Sequence, residues 1–129
     1  MILEVRNLNK SFRGLMAVSD LSFLLGQDEI LGIMGPNGAG KTTVINLVTG
    51  LYRPDSGEVR LRGTDITRLK PFKIVRMGIA RSFQQARVFQ NMTLEDNLLV
   101  GSVNGKHSKL FSDSSPIVRA RNILEFVEI

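Results

Sequence analysis

The 129-residue sequence contains no cysteine, which excludes a disulfide framework and any thiolate metal site and is compatible with a reducing compartment. Long apolar runs are missing too. The longest, such as Ile30-Leu31-Gly32-Ile33-Met34, are strand-sized and far short of the ~18 residues a membrane helix needs. The start, Met1-Ile2-Leu3-Glu4, has no basic region followed by an apolar segment, so it does not read as a secretory leader. A soluble domain is expected, held at a membrane only through a partner. Acidic residues are scarce in one place: six basic residues (Arg68, Lys70, Lys73, Arg76, Arg81, Arg87) and no acid lie between Asp65 and Glu95, within a net charge of +5. An anionic partner is one meaning of that stretch. A solvated basic face is favoured, because the cations are dispersed and no aromatic platform is interleaved with them.

What is present suits one globular domain, with 43% hydrophobic and 22% charged residues. Ile2 to Leu8 and Val18 to Leu24 alternate as half-buried strands do. Glu29 to Met34 is short, apolar and ends in glycine, as a strand buried on both faces would. In Thr42 to Leu51, residues Val44, Leu47, Val48 and Leu51 form one helical stripe, with Gly50 as terminator. Arg53-Pro54-Asp55-Ser56-Gly57 has turn chemistry. Glu58 to Arg62 alternates strictly and predicts a strand with Val59 and Leu61 inward. Pro71 suits the first turn of a helix running to about Met77, and Ile79 to Phe83 reads as another short strand. Thr93 is placed to N-cap a helix, with Glu95 and Asp96 near its positive end. Gly101 to Ser115 reads as a loop or linker, and Ile117 to Val127 as an amphipathic helix.

Between the Glu29–Met34 strand and the following helix stands Gly35-Pro36-Asn37-Gly38-Ala39-Gly40-Lys41-Thr42-Thr43. Residues 35 to 42 satisfy G-x-x-x-x-G-K-[ST] in full. Glycines let the backbone curl so that successive N–H groups converge on one anion, and the helix N-terminus adds its own free N–H groups and dipole. Lys41 would reach the β- and γ-phosphates, Thr42 would ligate Mg²⁺ and Thr43 would contact the α-phosphate. Chance matches occur roughly once in a few hundred chains of this length, and the strand-loop-helix context argues against chance here. The spacing is G-x-x-G-x-G, so the dinucleotide fingerprint does not apply and a nicotinamide or flavin reading is excluded.

Beyond the loop, Leu3-Glu4-Val5, Lys10-Ser11-Phe12, Leu21-Ser22-Phe23, Gly78 to Gln84 and Val88 to Asn97 together resemble the ABC ATPase family. The wording is closest to ATPase subunits of branched-chain amino acid importers, with urea importers nearby. The resemblance implies an α/β fold. Its parts are a P-loop NTPase (RecA-like) core, an N-terminal antiparallel β-subdomain and the beginning of an α-helical subdomain, truncated. Residues 1–129 would be the N-terminal part of one ATPase domain, roughly 1–90 forming the β-subdomain and core and 91–129 starting the helical subdomain. It implies ATP and Mg²⁺ as ligands, with Phe12 stacking on adenine and Val18, Asn37, Gly38, Ala39, Gly40, Lys41, Thr42 and Thr43 completing the nucleotide site. Lys41 and Gln84 would be catalytic, and Gln84, with Gln85 as its competitor on sequence, would join Thr42 at Mg²⁺. Transmembrane permease subunits would meet Ala86 to Asn97, and a second ATPase subunit would complete the site. Location would be cytoplasmic, peripheral on the inner (plasma) membrane.

The family's Ser-Gly-Gly signature, acidic strand end, adjacent catalytic Glu and switch His find no counterpart in the 129 residues. The single histidine, His107, reads as a solvated loop residue, and Asp96, Glu125 and Glu128 follow no apolar strand. In-line attack on a γ-phosphate needs a positioned water and charge stabilisation on both sides. The chain alone is therefore expected to bind nucleotide without turning it over. The other reading is a non-transport ABC ATPase acting on ribosomes or nucleic acid, which the basic stretch keeps open and the wording of Gly78 to Asn97 disfavours.

Overall fold

The structure, a computed structural model, describes residues 1–83, 88–104 and 115–127, the side chains of 102–104 excepted. It divides into two compact units, Met1–Ile79 and Ala80–Ile129.

The first unit is built on a long hairpin. Strand β1 (Leu3–Phe12) pairs antiparallel with β2 (Leu15–Leu25), from Leu3 opposite Leu25 to Phe12 opposite Leu15. The two-residue turn between them, Arg13 (φ 49°) and Gly14 (φ 84°), has both residues left-handed, the twist that suits a tight hairpin. Register shifts between Val5 and Leu8 and between Leu8 and Lys10 bend the pair. Side chains satisfy the backbone there: Asn7 N–H donates to Ser22 Oγ (2.8 Å) and Asp20 N–H donates to Asn9 Oδ1 (2.8 Å). Strand β3 (Ser56–Leu61) lies antiparallel on the other side of β1, and the short β4 (Thr64–Asp65) closes the sheet in the order β2-β1-β3-β4.

Helix α1 (Lys41–Val48) covers one face of this sheet with Val44, Leu47 and Val48. They pack with Val5, Leu8, Val18, Val59, Leu61, Ile66 and Ile74, the last from helix α2 (Pro71–Arg76). The inward positions expected of Val59 and Leu61 are thus observed. Gly50 (φ 73°) ends α1; a Cβ there would lie 2.9 Å from Leu69 O and 2.7 Å from Ile74 Cδ1. Leu51, expected on the helical stripe, falls past this stop and is exposed.

Two expected strands are absent. Residues 29–34 form no ladder with any described residue, and Ile30 is 101% and Met34 93% exposed. A strand buried on both faces needs backbone partners on both edges and apolar cover above and below, and the described residues supply neither. Residues 79–83 form no strand with any described residue either.

In the second unit, α3 (Leu94–Asn104) and α4 (Pro116–Phe126) are linked by Arg121 Nε donating to Glu95 Oε1 at 3.1 Å. Thr93 caps α3 reciprocally with Asp96: Asp96 N–H donates to Thr93 Oγ1 (3.1 Å), and the Thr93 hydroxyl donates to Asp96 Oδ2 (2.6 Å). The helix then continues through Gly101 to Asn104, where the sequence reads as loop, because no breaker stronger than Gly101 intervenes. No helix among the described residues is long and apolar enough to cross a membrane.

Candidate functional site

The glycine-rich loop joins the exposed segment 29–34 to α1. Its last glycine, Gly40, is left-handed (φ 83°) and stands at the N-cap with no side-chain cap. The first helical bond is Val44 N–H to Gly40 O (3.0 Å), so the N–H groups of Lys41, Thr42 and Thr43 have no intrahelical acceptor. That is the donor set an anion takes. Gly38 is also left-handed (φ 85°), and a Cβ built there meets nothing within 4 Å. Gly40 differs, because its Cβ would stand 2.2 Å from Ala17 O and 3.7 Å from Val18 Cγ2. The loop therefore rests directly on the backbone of β2, a contact only glycine permits.

Lys41 bends back over its own loop. Its ammonium donates to Gly35 O at 2.7 Å and to Pro36 O at 2.6 Å. Both acceptors are neutral carbonyls, and phosphate oxygens in the same position would add opposite charge to the bonds the ammonium makes. The loop is further held by Ala39 N–H donating to Pro36 O (3.2 Å). Thr42 is exposed, and no described residue accepts from or donates to its hydroxyl. A glycine cradle, three free backbone donors, one ammonium and one free hydroxyl fit a polyphosphate with a divalent cation.

The remaining candidates fall in three groups. Val18, assigned to the nucleotide site, is 6% exposed and belongs to the core beneath Gly40, so it supports the loop from below. Phe12 sits at the hairpin tip, 39% exposed, with Tyr52 set edge-on at 5.2 Å and Lys10 Nζ 5.4 Å from the ring centroid. Gln84, Gln85 and His107 lie outside the described residues.

Sequence reasoning missed the brace behind Phe12. Lys10 donates to Asp55 Oδ1 (2.7 Å), Ser11 N–H donates to Asp55 Oδ2 (2.7 Å), and Asp55 N–H donates to Asn9 O (2.9 Å). The Lys10 ammonium and the Ser11 amide hold the Asp55 carboxyl below the usual carboxylate range. Asp55 carried a local signal only as a turn residue; its partners lie more than forty positions away and no spacing rule reaches them. Among the described residues, no three His, Cys, Asp or Glu side chains gather into a metal site.

A left-handed glycine loop leading from the exposed segment 29–34 into a helix N-terminus without a side-chain cap defines a phosphate-loop nucleotide-binding domain. The ABC transporter family profile matches residues 18–129, and the chain belongs to that family. It is 46% identical over 99 residues to BraF, the high-affinity branched-chain amino acid transport ATP-binding protein of Pseudomonas aeruginosa, covering 77% of this chain and 39% of that protein. LivG of Escherichia coli K12 is 43% identical over 111 residues, 86% of this chain and 44% of LivG. A probable LivG of Archaeoglobus fulgidus is 38% identical over 138 residues, 99% of this chain and 53% of that protein. The chain thus spans about half the length of the curated relatives it matches. Among solved structures, a nucleotide-free ATP-binding cassette from an ABC transporter superposes with a TM-score of 0.78 at 34% identity, over 98% of this chain and 54% of the cassette. The ADP conformation of the cassette MJ1267 gives 0.79 at 33% identity with the same coverage. The α/β fold is that of these cassettes, with the antiparallel sheet β2-β1-β3-β4 at its N-terminal end.

Proposed function

We propose that this chain is the nucleotide-binding part of the ATP-binding subunit of an importer, with branched-chain amino acids as the cargo. The complete loop from Gly35 to Thr43, at the head of an uncapped α1, carries the reading; the names of the relatives direct it to that cargo. In this reading residues 1–90 form the β-subdomain and core and residues 91–129 begin the helical subdomain. Backbone donors from Gly38 to Thr43 cradle the phosphates, and Lys41 gives up its two carbonyl acceptors for phosphate oxygens. Thr42 and Gln84 are the ligands this chain would give Mg²⁺, which would draw charge from the γ-phosphate. Phe12, braced by Lys10 and Tyr52, offers its exposed ring to adenine. A second ATPase subunit supplies the opposing half of the site, and membrane permease subunits receive the motion. These 129 residues bind ATP without hydrolysing it, since the family's signature, acidic strand end, adjacent Glu and switch His find no counterpart in their sequence.

A chimaera tests the assignment. This chain replaces the matching N-terminal portion of Escherichia coli LivG in cells lacking LivG, and leucine uptake is measured. Restored uptake that is lost with Lys41→Ala supports the reading. A chimaera that is expressed and binds ATP but restores no uptake refutes the importer assignment.

A further inference from the structure

The basic stretch after Asp65 contains an aromatic that spacing alone did not associate with it. Helix α2 buries Ile74, which is 1% exposed. At about 100° per residue, Phe72 and Arg76 fall opposite Ile74, with Lys73 and Val75 on the two flanks. Phe72 is 51% and Val75 43% exposed, and the Arg76 guanidinium lies 5.7 Å from the Phe72 ring centroid. Lys70 is the N-cap residue. The Arg62 guanidinium stands 3.9 Å from a Cβ built on Gly78, just past the helix end. None of Arg62, Lys70, Lys73 and Arg76 pairs with a carboxylate among the described residues. Phe72 and Val75 are thus exposed side by side, with Arg76 against Phe72, Lys73 on the far flank and Lys70 and Arg62 near the two helix ends.

We propose that this α2 face docks on an anionic phospholipid surface. Cations at the rim are attracted additively to acidic headgroups, while Phe72 and Val75 enter the headgroup boundary as the apolar face of an interfacial helix does. A nucleic-acid strand fits less well, since it calls for successive stacking platforms. Here there is one aromatic, and Arg76 already covers its ring. The proposal adds a direct membrane contact to one made only through partner subunits, and it does not depend on nucleotide binding.

Vesicle flotation of the 129-residue chain tests it, comparing phosphatidylcholine vesicles with vesicles that also contain phosphatidylglycerol. The expected result is flotation with the acidic vesicles, abolished by high salt, over a low baseline with neutral ones. Lys73→Glu with Arg76→Glu weakens it by roughly fivefold or more for each cation removed. Phe72→Ala weakens it severalfold and leaves the salt dependence in place. All three positions are exposed, so unchanged far-UV circular dichroism is expected of each variant, and Lys70→Glu serves as a second charge variant should one misfold. Equal flotation with both vesicle types overturns the proposal, as does flotation indifferent to these substitutions. Binding to a single-stranded oligonucleotide that is lost in the same variants, without acidic-vesicle binding, assigns the face to nucleic acid instead.

Discussion

Replacing Gly40 by alanine should damage the protein more than the same change at Gly38, though both glycines belong to one loop and share one backbone conformation. Their φ angles are 83° and 85°, so either alanine carries the left-handed penalty of roughly 1–2 kcal/mol. They differ in surroundings. The new methyl at Gly38 meets nothing within 4 Å, whereas at Gly40 it stands 2.2 Å from Ala17 O. An ordinary carbon–oxygen contact is longer by about 1 Å, and the obstacle is backbone of β2 between the paired residues Met16 and Val18, not the movable end of a side chain. Overpacking of this kind adds roughly 1–3 kcal/mol. Gly40→Ala should therefore cost about 2–5 kcal/mol in total, against about 1–2 kcal/mol for Gly38→Ala. Urea unfolding followed by far-UV circular dichroism measures both, and the Gly40 variant should show the lower midpoint by about 1 M or more. Equal midpoints would refute the claim that the loop is seated on β2.

Two other outcomes follow from the hydrogen-bonded braces. The carboxyl of Asp55 is held low by Lys10 and Ser11, so its folded pKa lies below the unfolded value near ~3.9. Its contribution is present above the unfolded pKa and is lost as pH falls through the folded one. The stability difference between the wild type and Asp55→Asn should be flat near neutrality and shrink in acid; a difference that grows in acid would have the wrong sign. Asn97 accepts from Phe89 N–H (2.7 Å) and donates to Thr93 O (2.9 Å). Asn97→Ala should speed hydrogen exchange at the Phe89 amide by about tenfold, the loss of roughly 1–1.5 kcal/mol of net bonding, while exchange in β1 stays unchanged.

Local chemistry was the legible part of the fold. Val59 and Leu61 point inward from an alternating strand, Pro71 opens α2, Gly50 stops α1 and Thr93 caps α3, each decided by a residue and its near neighbours. The phosphate loop was legible for the same reason, since its eight-residue pattern is its own scaffold. Non-local requirements were not legible. Residues 29–34 have the composition of a central strand, yet a strand exists only with its ladder, and composition cannot state whether partners are present. The contact of Gly40 with Ala17 and the reach of Lys10 to Asp55 join residues far apart in the chain, with no periodicity to announce them. Gly57 belongs with these: read as a turn exit, it lies inside β3, where a Cβ would meet Asn7 O at 2.4 Å.

Titration calorimetry of the 129-residue chain with Mg-ATP, wild type beside Lys41→Ala, tests the central claim most directly. Among the described residues, Lys41 bonds to two carbonyls of the loop it would open onto phosphate, and losing a hydrogen bond to a charged group costs about 1.5–3 kcal/mol. The wild type should bind one nucleotide, and the variant should bind about tenfold to a hundredfold more weakly with its circular dichroism unchanged. Identical affinities in the two proteins, or no binding by a folded wild type, would contradict the assignment of Gly35 to Thr43 as a phosphate-binding loop.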